Sequence, residues 1–199
     1  MDRAEMGRVL TQVGPGTPMG ELMRQYWVPA LMSSELVADG DPVRLKLLGE
    51  ELVAFRTTSG KVGIMDHRCP HRCASLFYGR NENDGIRCVF HGWKFDADGK
   101  CLDLPNVHNP GPTLRRVRAK AYRVVERAGV VWTYMGHRKV PPPLPEFPVF
   151  SLPSERIAVW SEQRECNYLQ CLEGELDTSH AGFLHLGMVG EQAEAASYG

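Results

Sequence analysis

The sequence predicts an α+β chain: an all-β unit of antiparallel sheets over residues 27–136, followed by the beginning of a second domain that contains a helix. Three observations carry this. Short apolar runs punctuated by turn residues extend from Pro42 to Gly136. A proline cluster, Pro141-Pro142-Pro143-Leu144-Pro145 with Pro148, ends that pattern. Beyond it, residues 167–185 change to helical period. At 199 residues, 43% hydrophobic and 24% charged, the composition is that of an ordinary globular protein, which excludes collagen-like, coiled-coil and largely disordered chains.

The elements follow in order. Residues 1–26 form an N-terminal helical segment, with a short helix over 19–27 running into an extended 27–31. The run 43–47 alternates, Gly49-Glu50 turns, 52–55 returns, Ser59-Gly60 turns again, and 62–65 completes an antiparallel meander. Asp84-Gly85 and Asp98-Gly99 are further hairpin signals, because Asp-Gly readily supplies positive φ. A last pair, 121–126 and 130–134, is joined at Arg127-Ala128-Gly129. Residues 137–150 read as an extended Pro-rich linker. After it come a strand-like stretch over 156–160 and a helix from about Cys166 into the 180s. Residues 151–199 are too few to enclose a core, so this second domain is expected to be incomplete.

Lys and Arg total 23 against 24 Asp and Glu, a net charge of -1, so nothing drives phosphate binding and no nucleic-acid partner is expected. No apolar run follows Met1-Asp2-Arg3-Ala4-Glu5, and none approaches the ~20 residues of a membrane helix. The expectation is a cytoplasmic protein without a membrane partner, whose six cysteines are metal ligands or free thiols rather than a disulfide framework.

Cys69-Pro70-His71 and Cys88-Val89-Phe90-His91 place one thiolate and one imidazole on each of two hairpin loops. This is the donor set of a Rieske [2Fe–2S] cluster, with Cys69 and Cys88 on one iron and His71 and His91 on the other. A four-coordinate Zn site also accepts two Cys and two His, but Zn knuckles usually keep like ligands together, and each loop here offers one of each. Cys73, Cys101, Cys166 and Cys171 are expected to be buried spare thiols. Asp96-Ala97-Asp98-Gly99 is read as a tight turn rather than a calcium loop.

In 167–185, Asn167, Gln170, Glu173, Asp177 and His180 fall within about 140° of a helical projection, opposite Tyr168, Leu169, Leu172 and Leu176. His180 and His185 lie about 140° apart on an ideal helix, so both can meet one ion only if the helix bends or ends between them, most cheaply at Gly182. Two histidines with a carboxylate form the ligand set of non-haem Fe(II) oxygenases. Asp177 is better placed to orient His180 than to bind metal itself.

Cys69-Pro70-His71-Arg72, Cys88-x-x-His91-Gly92-Trp93-Lys94-Phe95 and the pattern Asn-x-x-Gln-x-x-Glu-x₃-Asp-x-x-His-x₄-His over 167–185 resemble the α subunit of Rieske non-haem iron aromatic-ring-hydroxylating oxygenases along essentially the whole chain. Leu76-Phe77-Tyr78-Gly79-Arg80-Asn81, Leu172-Glu173-Gly174 and Asp177-Thr178-Ser179-His180 are most similar to the phthalate 4,5-dioxygenase group. Cys73 departs from the pattern, standing where related sequences carry glycine.

The resemblance implies a helix-grip-like catalytic domain, in which His180 and His185 bind a mononuclear Fe(II). It implies that Asp177 links His180 to the histidine matching His91 in a neighbouring subunit of a homotrimer or trimer-based oligomer. It further implies an NAD(P)H-dependent flavin and iron–sulfur reductase as partner, O₂ as oxidant, and a small aromatic, carboxylated substrate that is dihydroxylated, hydroxylated or demethylated. The family's third iron ligand, a carboxylate far downstream, is missing: Glu191 and Glu194 are the only later carboxylates and match nothing in the pattern. The chain is therefore expected to be C-terminally truncated and inactive alone, retaining only electron transfer. The rival is a Rieske ferredoxin-like electron carrier, which needs no residues beyond about 136, so 167–185 discriminates against it.

Overall fold

The computed structural model describes residues 2–185. Ten strands follow the alternating stretches: β1 (Trp27–Met32), β2 (Val43–Leu47), β3 (Glu50–Arg56), β4 (Val62–Asp66), β5 (Arg80–Glu82), β6 (Gly85–Arg87), β7 (Lys94–Phe95), β8 (Cys101–Asp103), β9 (Ala121–Arg127) and β10 (Val130–Tyr134). Six pair antiparallel in the order β1-β10-β9-β4-β3-β2, and β5-β6-β7-β8 form a second antiparallel sheet. The α+β class with antiparallel sheets is thus as the sequence predicts.

β3 reads as an unbroken apolar run because both its faces are covered. Val53 and Phe55 enter a core with Met65, Leu76, Ile86, Trp93, Phe95 and the sulfurs of Cys69 and Cys88, whereas Leu52 and Ala54 enter another with Leu31, Val62, Ile64 and Val131. The turn between β2 and β3 places Leu48 at φ 45° and Gly49 at φ 76°, and that between β9 and β10 places Ala128 at 53° and Gly129 at 75°. Two successive positive φ values give turns whose twist matches the flanking strands.

The β5–β6 turn differs from the expectation. It sits on Asn83 and Asp84, at φ 46° and 60°, whereas Gly85 pairs with Glu82 inside β6. Gly85 is needed there for another reason: a Cβ would lie 2.6 Å from the Phe95 carbonyl oxygen. β5 and the short helix over Gly111–Arg116 carry too little periodicity to be foreseen.

The described residues divide into two compact units, 12–161 and 2–11 with 162–185. The segment 1–26 is therefore not one piece. Among the described residues the helices are α1 (Arg3–Thr11), α2 (Pro18–Met23), α3 (Gly111–Arg116), α4 (Tyr168–Leu176) and α5 (Ala181–Leu184); α1 packs with α4, where the Tyr168 hydroxyl donates to the Leu10 carbonyl at 2.6 Å. The second helix, Pro18–Met23, belongs with the sheets, capped by Thr17, whose hydroxyl accepts from the Gly20 N–H. The proline-rich stretch lies against the β unit rather than standing clear of it. The Trp27 indole N–H donates to the Pro142 carbonyl at 2.8 Å, and Trp132 stacks near Phe147. Residues 156–160 pair with no strand among the described residues; Ser154–Arg156 is a single tight helical turn.

The helix beyond the linker also ends earlier than expected. α4 stops at Leu176, and a separate turn of helix covers Ala181–Leu184, so the break falls at 177–180 and Gly182 lies inside the second piece. Asp177 Oδ1 accepts from both the N–H and the hydroxyl of Ser179, at 2.9 and 2.6 Å, and these local bonds compete with helix continuation. Among the described residues no helix is long and apolar enough to cross a membrane.

Candidate metal centres

Two loops at one end of the first core are built alike. In residues 69–74 the Cys69 N–H donates to the Ala74 carbonyl at 2.9 Å and the Cys73 N–H to the Cys69 carbonyl at 2.9 Å. In residues 88–93 the Cys88 N–H donates to the Trp93 carbonyl at 2.8 Å and the Gly92 N–H to the Cys88 carbonyl at 3.0 Å. Each loop closes only if the fourth residue after its first atom pair turns left-handed, and Cys73 and Gly92 do so at φ 57° and 75°. A Cβ at position 92 would meet Pro105 at 2.7 Å, which bars any other residue there.

The loops bring all four predicted donors into one neighbourhood. Cys69 and Cys88 are buried, at 1% and 3% exposure, within the same apolar cluster. The His71 and His91 rings lie edge to face with centroids 4.7 Å apart. His91 Nδ1 is buried without any hydrogen-bond partner. Burial pushes the Cys69 thiol up to about 12, with N–H groups of His71 and Arg72 opposing and Cys88 adding to the rise. Burial, together with the nearby His91 and Arg72, lowers His71, which favours the neutral imidazole.

The second constellation lies around the helix break. Asp177 ends α4, and His180 and His185 flank the following helical turn, with rings 5.3 Å apart. His180 Nδ1 lies 3.2 Å from Asp177 Oδ2. Hydrogen bonds from the Ser179 hydroxyl and N–H, then from His180, hold Asp177 below the usual carboxylate range. The break precedes His180 and the chain between the two histidines is helical, so their approach owes nothing to a bend at Gly182; His185 lies just past the end of the short helical turn, where the backbone leaves helical geometry. Glu191 and Glu194 lie outside the described residues.

Residues 26–134 match the family model described as the Rieske [2Fe-2S] domain. The chain belongs to the Rieske family. It is 60% identical over 178 residues to the 3-chlorobenzoate-3,4-dioxygenase oxygenase subunit of Comamonas testosteroni, covering 89% of this chain and 41% of that protein. It is 42% identical over 185 residues to the phthalate 4,5-dioxygenase oxygenase subunit of Pseudomonas putida, covering 91% and 42%. Among solved structures, dicamba monooxygenase bound to 3,6-dichlorosalicylic acid superposes with a TM-score of 0.67 at 27% identity, covering 81% of this chain and 47% of that one. The chain thus spans about two fifths of the length of these curated relatives.

The loops fit the Rieske group on their own chemistry. A buried imidazole nitrogen without a partner, and two thiols buried in one cluster of which one is pushed up by that burial, are costly unless cations neutralise the thiolates and accept the nitrogen lone pair. Two buried thiols and two adjacent imidazoles are the donor set that a two-iron Rieske core takes.

Supporting residues escaped the sequence reading. Trp93 stacks on His71 with centroids 4.2 Å apart and planes 9° from parallel, and its indole N–H donates to Asn106 Oδ1 at 2.7 Å. Arg87 ties the second loop down, donating to the Gly92 carbonyl, Glu82 and Asp103. Only the position of Trp93 two residues after His91 hinted at this. The other thiols also need correcting: Cys101 is buried, but Cys73 and Cys166 are exposed and Cys171 is half-buried, because they lie on loop and helix surfaces outside the cores.

Proposed function

We propose that this chain is the electron-receiving portion of the terminal oxygenase component of a cytoplasmic Rieske ring-hydroxylating system, acting on an aromatic carboxylate. The observation that carries the proposal is the occurrence, in one chain, of a Rieske domain and of the Asp177, His180, His185 arrangement that an electron carrier alone does not need. When bound, the [2Fe–2S] cluster supplies one-electron transfer and a mononuclear Fe(II) supplies O₂ activation.

Cys69 and Cys88 would hold one iron of the cluster, and His71 and His91 the other. Trp93 keeps the His71 ring in one orientation, and Arg87 keeps the loop bearing His91 in place. His180 and His185 would bind the mononuclear iron, with its carboxylate ligand supplied from outside the described residues. Asp177, kept anionic, accepts the Nδ1–H of His180 and so directs Nε2 of that ring toward the metal. The remaining capacity of its carboxylate suits a hydrogen bond from the partner subunit's His91, which calls for a ring-closed assembly such as a trimer.

The relatives named for 3-chlorobenzoate and phthalate share a benzoate core, and this favours an aromatic carboxylate as substrate. The required partner is an NAD(P)H-dependent flavin and iron–sulfur reductase. The test uses the full-length protein with such a reductase. A Rieske absorption and EPR signal, and oxygen uptake dependent on a benzoate-type substrate, are expected. A colourless zinc protein, or uptake indifferent to every aromatic carboxylate, would overturn the proposal.

A further inference from the structure

The mechanism uses neither Cys166 nor Cys171, yet their sulfurs lie 3.2 Å apart. The proximity has a local cause. Asn167 caps α4, its side chain accepting from the Gln170 N–H at 3.1 Å, and Tyr168 is the first helical residue. Cys166 is therefore the residue before the cap and Cys171 the fourth residue of the helix. These are the two positions that an ordinary helix start brings together as a hydrophobic staple. Here both staple residues are thiols, Cys166 exposed and Cys171 half-buried. The contact depends on the helix cap rather than on distant packing, so side-chain rotation can close most of the ~1 Å that separates it from a bonded pair.

We propose that Cys166 and Cys171 are a peroxide-sensitive dithiol that closes to a reversible intramolecular disulfide. The inference is independent of the iron chemistry above. Hydrogen peroxide is the oxidant. Cys171, as its thiolate, attacks one peroxide oxygen and breaks the O–O bond. This leaves a sulfenic acid and a hydroxide, which takes up the proton lost by the thiol. The Cys166 sulfur then attacks the sulfenic sulfur; the S–S bond forms and the S–O bond breaks, the oxygen leaving as water with the Cys166 proton. Two thiols lose two electrons and two protons, and the peroxide becomes two waters.

The test is mass mapping of the full chain after treatment with hydrogen peroxide. No Lys or Arg follows Arg164 up to Gly199, so trypsin leaves both cysteines in one peptide beginning at Glu165. That peptide is expected to become lighter by two hydrogens and to lose iodoacetamide labelling at both cysteines, with both changes reversed by dithiothreitol. Cys166→Ser and Cys171→Ser should each abolish the two-hydrogen loss. Exposed Cys73 serves as an internal control for oxidant delivery. Full labelling of Cys166 and Cys171 under conditions that oxidise Cys73, or a disulfide found only between chains, would overturn the proposal.

Discussion

Cys73 shows how one residue can carry a backbone constraint that its chemistry conceals. It occupies the loop position that Gly92 occupies in the companion loop, and both are left-handed. A side chain in that conformation costs ~1–2 kcal/mol, partly offset by the lower entropy of the unfolded chain relative to glycine. Cys73→Gly should therefore raise stability by up to about 1 kcal/mol in urea denaturation while leaving the Rieske spectrum unchanged. Asn106 has the opposite character. Asn106→Ala would leave the buried Trp93 indole N–H unpaired and is expected to cost about 1–3 kcal/mol, with a broadened EPR signal because the stack against His71 loosens.

At the scale of elements, the helix over Pro18–Met23 is held to the sheets by Arg24, which is 2% exposed. Its guanidinium donates to the carbonyls of Val13, Gly20 and Leu48 and pairs with Glu50 at 3.0 Å. Glu50 also accepts from Lys120 and Tyr122. Arg24→Ala leaves the three carbonyls without this donor and Glu50 with only Lys120 and Tyr122, and should cost roughly 3 kcal/mol in denaturant unfolding. Burial pushes the Glu50 carboxyl up, but the bonds from Lys120, Tyr122 and Arg24 together outweigh it and leave the group below its usual 4.5. A carboxylate depressed on folding stabilises the protein above the unfolded value and loses that contribution as pH falls through the folded one. The stabilisation from Glu50 should thus persist down to about pH 4.5 and vanish below it, and Glu50→Gln should flatten this acid limb in pH-dependent thermal melts.

For the whole molecule, the cluster loops close the first core, since the sulfurs of Cys69 and Cys88 are part of it. A group that binds only the folded state adds its binding free energy to stability. Protein stripped of iron should therefore melt well below the loaded form and recover on reconstitution, as calorimetry would show. The proposed electron route requires that Asp177→Ala, in the full-length protein, leave the Rieske spectrum intact and abolish coupled hydroxylation. Wild-type reoxidation of the reduced cluster by O₂ plus substrate in single turnover would remove Asp177 from the electron route.

What the sequence determined by itself was local. Strand alternation, glycine-bearing turns and the Cys-x-His and Cys-x-x-His spacings depend on neighbours within a few residues, so the antiparallel class and the two loops that bear Cys69, His71, Cys88 and His91 were legible. The family domain then matched over 26–134. Features that depend on approach through space were decided only by the tertiary structure. Gly85 looked like a turn residue but is excluded from bearing a side chain by the Phe95 carbonyl. Trp93, Asn106 and Arg87 support the loops through contacts between strands. The helix break moved from Gly182 to 177–180 because Ser179 captures Asp177, a competition that helical period does not record. Periodicity reports which face a residue occupies; it does not report what fills the space opposite, and that contact sets the geometry of a site.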